Sequence, residues 1–222
     1  MSRSRRPLVA LVGAALGAAL VSGCAAPDFR YATEKPAGAL AGTVYFKVPY
    51  TWTAFPTGSI TTAQQPWATA GDPQLLLQAT SWQEAYDSAP QPSLSHVFGR
   101  TAPDQPVVYA SLRSLYTEEQ PGATAAGLRD LLVPVSTLGK AVRVTTDDIL
   151  SQGRVDGVHV VFSYTSAPGQ PEETIDQTAY LSDGTDAVYL LVVRCTTACY
   201  TAHRAEIDSV TSSYTIQEDR SG

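Results

Sequence analysis

The chain has 222 residues, 44% of them hydrophobic, and sets 15 Lys and Arg against 21 Asp and Glu for a formal charge of −6. An acid excess argues against nucleic acid, whose phosphates need Lys and Arg to displace counterions. It argues equally against docking on anionic headgroups through a basic patch.

The first 23 residues read as a secretory signal. Arg3, Arg5 and Arg6 lead into the apolar run from Leu8 to Leu20, which is too short and too rich in Gly and Ala to make a good membrane span. Small residues then meet a cysteine in Val21-Ser22-Gly23-Cys24. This tetrad resembles the lipobox of bacterial lipoproteins, which implies diacylglycerol (and the further palmitate-type acylation such proteins carry) at Cys24, with cleavage just before it. The expected plan is a signal at 1–23, a tether at 24–41 and one domain at 42–218, lipid-anchored on the extracytoplasmic face of the cell membrane. At about 0.8 kcal/mol per buried methylene, two or three acyl chains make a stable anchor. Ser4-Arg5-Arg6-Pro7-Leu8 partly resembles a twin-arginine export signal, and adjacent arginines also occur in Sec signals; the destination is the same. Cleavage removes three basic residues and no acidic one, leaving twelve against 21 on a chain long enough for one well-cored domain.

From Ala25 to about Ala41 the chain has two prolines and no steady period, as suits a tether. Val44, Phe46 and Val48 alternate with Thr43, Tyr45 and Lys47, the pattern of a half-buried strand that Pro49 breaks. Residues 56–74 read as loop, and Leu75 to Leu77 as a second strand ending near Thr80. Residues 81–105 read as a long irregular stretch bounded by prolines, in which Trp82, Tyr86 and Phe98 pack down. Val107 to Leu112 is the next strand. Thr124 caps an expected helix through Leu128, Leu131, Leu132 and Val135, ended by Pro134, and Asp147-Asp148-Ile149 begins a short turn.

The last third is the most regular. Val158, Val160, Phe162 and Tyr164 alternate with His159, Val161 and Ser163. A turn about Pro168-Gly169-Gln170-Pro171 leads to Ile175, Gln177, Ala179 and Leu181 on one face, and Asp183-Gly184 supplies a tight hairpin. The strand from Ala187 to Val193 is apolar on both faces and so must be covered on both. A closing helix presents Cys199, His203, Ile207, Val210 and Tyr214, with Arg204 and Asp208 as an i,i+4 pair opposite. The expected fold is α+β: an antiparallel meander held between helices.

The order of strand, Val48-Pro49-Tyr50-Thr51-Trp52, loop, strands, helix and meander, ending in a helix with Ile207-Asp208-Ser209-Val210, resembles the PsbP-like family. That family shares an α/β/α sandwich, with a central mainly antiparallel sheet, with Ran-binding Mog proteins. More narrowly the chain is similar to actinobacterial lipoproteins of the LpqN type. The resemblance spans most of residues 42–217 and implies an extrinsic, accessory or interaction protein with no shared catalytic residues to carry over.

With Cys24 lipidated, Cys195 and Cys199 remain, and in an oxidising compartment they read most simply as a disulfide. The alternative, a Cys195-x3-Cys199-x3-His203 zinc site, lacks a fourth ligand nearby. His96 and His159 have no nucleophile elbow to serve, His159 reads as a hydrogen-bonded structural residue, and Asp147-Asp148 and Glu172-Glu173 read as solvated turns. No cofactor and no metal are expected. Tyrosines on strands fit half-buried faces; as candidates for a pocket or docking surface the aromatic residues are Trp52, Trp67, Trp82 and Tyr109. The reading is a lipid-anchored, non-catalytic binding lipoprotein of the cell envelope, with a protein or envelope component as partner and no nucleic acid. The alternative is a carrier of a lipid or other apolar small molecule in a pocket of several hundred cubic ångströms, and a hydrolase comes last.

Overall fold

The alternation of the C-terminal third becomes the centre of a seven-stranded antiparallel sheet. The computed structural model describes residues 29–34, 42–60 and 79–217; Cys24, Trp67 and Leu75 to Leu77 lie outside them. The large sheet contains β3 (Thr53–Pro56), β4 (Thr80–Asp87), β5 (Val107–Ser114), β6 (Val142–Gln152), β7 (Val155–Tyr164), β8 (Glu173–Leu181) and β9 (Ala187–Thr196), in the order β3-β4-β5-β9-β8-β7-β6. A second, three-stranded sheet runs β1-β2-β10, from β1 (Phe29–Glu34), β2 (Thr43–Pro49) and β10 (Thr215–Gln217).

Because side chains alternate across a strand, the large sheet carries an apolar layer on each face. Trp82, Val108, Val161, Tyr189, Leu191 and Val193 meet Val44, Phe46 and Val48 of β2 together with Ile207, Val210 and Tyr214. The opposite face, with Val158, Val160, Phe162, Leu190 and Val192, is covered by Val97, Phe98, Leu128, Leu132 and Val135. The double-sided apolar strand is thus β9, buried almost end to end. The architecture is an α+β sandwich around a mainly antiparallel sheet. The helical elements are short: α1 (Leu94–Phe98), α2 (Val135–Leu138), α3 (Thr197–Ala202) and α4 (Arg204–Thr211).

Several expectations are corrected. Residues 81–87 are not loop but most of β4, in register between β3 and β5. Asp147-Asp148-Ile149 is not a turn but the middle of β6, an edge strand of eleven residues. Phe29 to Glu34, inside the expected tether, pairs antiparallel with β2, and the Arg30 guanidinium donates to the Trp52 carbonyl at 2.6 Å while lying 5.3 Å from the Tyr86 ring centre. The helix expected after Thr124 is two pieces, a 3-10 turn at Ala126–Asp130 and α2. Proline lacks the N–H that an uninterrupted helix would need at Pro134, so Pro134 stands at the start of α2 rather than at an end. The closing helix breaks at His203, which caps both α3 and α4. Strands as well as helices cover the meander, since β2 and β10 share the α3–α4 side. In the 183–186 hairpin it is Thr185, not Gly184, that adopts a positive φ of 55°, held by the Ser182 carbonyl accepting from its N–H at 2.8 Å.

Candidate functional site

A concavity of about 540 Å³ lies where β7, β8 and β9 end against two loops. Its floor is Ile175, Glu173 and Arg194; its walls are Leu132 and Val133 on one side and Gly99 to Thr101 on another; Tyr164, Ser166, Ala167 and Gln170 complete it. Sequence places these residues together because β8 and β9 pair with Ile175 opposite Arg194, while Tyr164 sits opposite Glu173 across the β7–β8 ladder.

Glu173 and Arg194 are only 3% and 4% exposed, so their charges must be matched. The Arg194 Nε donates to Glu173 Oε1, one Nη donates to the Val97 and Gly99 carbonyls at 3.1 and 2.9 Å, and the other to Thr101 at 3.3 Å. One guanidinium therefore fastens the 97–101 loop to the sheet. Burial pushes the Glu173 carboxyl upward against the pull of Arg194, and burial together with Glu173 pushes the Tyr164 hydroxyl up to about 12. The floor is a charge-paired surface with a mixed rim, apolar at Leu132 and Val133, polar at Thr101, Ser166 and Gln170, and cationic at the exposed Arg100.

The histidines are elsewhere. His159 contacts Asp176, 1% exposed, at 2.8 Å, and Asp176 also accepts from the Tyr200 hydroxyl at 2.7 Å, tying β7 and β8 to α3. The Asp176 bond is the main cause that raises the His159 pKa, opposed by burial. A hydroxyl chain from Ser163 through Thr174 to Thr197, at 2.9 and 3.0 Å, reinforces the same junction. His96 contacts Asp87, which also caps the backbone N–H groups of Ala89 and Ser93, and His203 contacts Glu206 at 3.2 Å. Cys195 and Cys199 are joined in a disulfide with Cα atoms 5.9 Å apart, bridging the end of β9 and α3. Their sulfurs are thus spent, and the zinc arrangement with His203 is not assembled; among the described residues no three His, Cys, Asp or Glu side chains form a metal-binding group.

The three aromatic candidates among the described residues, Trp52, Trp82 and Tyr109, do not converge. Trp52 and Trp82 are buried in the α3–α4 layer, while Tyr109 is buried in the opposite one, donating to Gln83 Oε1 at 3.0 Å and meeting Phe98 edge-on. All three are core residues, and none lines the cavity. Sequence reading passed over Arg194 and took Glu173 for a solvated turn residue, whereas Glu173 opens β8 and is buried. The available signal was an arginine that ends the apolar run of β9, because a charge in a doubly buried strand requires a partner.

No family model matches the chain, and no match to a curated protein is found. Among solved structures, the LpqN protein of Mycobacterium tuberculosis, described as involved in cell envelope biogenesis, superposes with a TM-score of 0.50 over 86% of this chain and 92% of its own, at 13% identity. This chain has the LpqN fold. Cyanobacterial PsbP from Synechocystis sp. PCC 6803 gives 0.48 at 6% identity over 87% and 95%, and the Ran-binding protein Mog1p of Saccharomyces cerevisiae gives 0.40 at 9% over 85% and 96%. The resemblance to LpqN holds at the level of fold.

Proposed function

We propose that this protein is a lipid-anchored, non-catalytic binding lipoprotein of the cell envelope, whose ligand seat is the cavity at the end of β7, β8 and β9. The carrying observation is the cavity's construction. It is concave, with Leu132, Val133 and Ile175 as apolar lining beside polar Thr101, Ser166 and Gln170, and its two buried charged groups, Glu173 and Arg194, are committed to each other and to loop carbonyls. Groups so committed hold shape; they are poorly placed to move protons on a bound molecule. The anchor rests on Val21-Ser22-Gly23-Cys24, and the LpqN fold agrees with an envelope setting. Cys24→Ala should release the protein from membranes into the soluble fraction; attachment that persists and requires detergent would contradict the anchor.

Carriage of a lipid or another apolar molecule is a second reading, favoured by one observation. About 540 Å³ beside Tyr164, Leu132, Val133 and Ile175 is enough room for part of an acyl chain or a small ring system. A fluorescent fatty-acid analogue should then bind saturably to the wild type and weakly to Val133→Trp. Saturable binding that Val133→Trp leaves unchanged would place the analogue elsewhere.

A further inference from the structure

β6 ends the large sheet, with β7 on one side and, among the described residues, no strand on the other. It is eleven residues long, so alternate residues direct N–H and C=O groups into solvent along a full-length edge. Two of its side chains, Val144 and Ile149, are large, apolar and 42% and 60% exposed. Register places Val144 opposite Phe162, Asp147 opposite Val160 and Ile149 opposite Val158, so these three share one face in the order apolar, acidic, apolar. Asp148 lies on the other face, opposite His159. A bulge at Thr145, whose hydroxyl donates to the Val161 carbonyl at 3.2 Å, sets this register.

Charged residues on an edge usually discourage pairing. Here they select instead. A second copy pairing antiparallel, with Val144 against Ile149, would set Asp147 against Asp147 and leave the two Asp148 carboxylates diagonal to each other, and like charges opposed across strands destabilise. A basic strand gains at the same positions. We infer that β6 is a strand-addition site for an extended segment of a partner protein in which Lys or Arg is flanked at alternate positions by apolar residues. The apolar side chains would cover Val144 and Ile149 on one face, and the cation would face Asp148 on the other, since Asp147 is already held by Arg129 at 2.9 Å. This deepens the binding reading without depending on the cavity.

The test uses the mature chain and three synthetic peptides: alternating Val and Lys, alternating Val and Glu, and the Val/Lys peptide with N-methylated backbone. Amide hydrogen exchange maps where each binds. The Val/Lys peptide should slow exchange along residues 143–151, while the other two should not. Asp148→Asn should weaken its binding about fivefold, the scale of one cross-strand charge pair. Protection confined to Tyr164 to Ile175 would overturn the inference and favour the cavity. Equal binding of the N-methylated peptide would overturn it too, as charge attraction without strand pairing. Concentration-dependent protection of 143–151 without peptide would show a second copy on the edge and likewise overturn it. The wild-type map decides the question even if a variant folds poorly.

Discussion

Removing the Arg194 guanidinium would strand the Glu173 carboxylate in an apolar floor and free the Val97, Gly99 and Thr101 carbonyls it now satisfies. Breaking one partner of a buried pair costs about 3–5 kcal/mol, whereas replacing both by apolar groups of similar size costs far less. Urea denaturation should show that loss for Arg194→Ala and most of it restored in Arg194→Met with Glu173→Leu; equal losses would mean the pair is not what holds the floor. His159 gives a pH signature. Its folded pKa is raised above the ordinary 6.5, chiefly by Asp176. The imidazolium therefore adds stability fully present below 6.5 and lost as pH rises through the raised folded value. Urea midpoints should fall with rising pH across that window, and His159→Gln should flatten the fall. An unchanged slope in the variant would assign the effect to another group.

Among the elements, the β9–α3 junction is held two ways, by the Cys195–Cys199 disulfide and by the Thr196 hydroxyl accepting from the Cys199 N–H at 3.2 Å, while the Asp176–Tyr200 bond ties α3 to β8. Closing so short a loop is worth about 2 kcal/mol in the chain-entropy account, so Cys195→Ser with Cys199→Ser should lower stability by about that much without unfolding the domain. Gly157 shows what close strand packing demands. A Cβ there would lie 2.2 Å from the Ala179 carbonyl oxygen and 2.6 Å from Tyr180, so Gly157→Ala should cost about 1–3 kcal/mol by thermal or urea denaturation. Legibility differed element by element for physical reasons. β7, β8 and β9 were plain because turn residues bound them and apolar side chains fill their faces. β4 was hidden because one of its faces buries Gln83 and Asp87, whose partners Tyr109 and His96 come from other elements. β6 was hidden because an edge strand needs no regular alternation, and its Asp147-Asp148 imitates turn composition. The cavity was invisible in sequence since its charges are paired across strands and its walls come from loops far apart along the chain.

At the scale of the whole molecule, the lipid proposed at Cys24 would lie only a few residues before the start of β1. On the proposed function that anchor would bring the β1–β2–β10 sheet near the bilayer, and Cys24→Ala would be a change of location, with no effect on folding; the mature domain should keep the wild-type urea midpoint. On the proposed function, the cavity is where the fold would receive a ligand. Native mass spectrometry of residues 25–222, exported by and purified from an actinobacterial host, tests this most directly. The account predicts a small-molecule adduct on the wild type that Val133→Trp fails to retain. A bare mass for both, or an adduct retained equally by both, would contradict it.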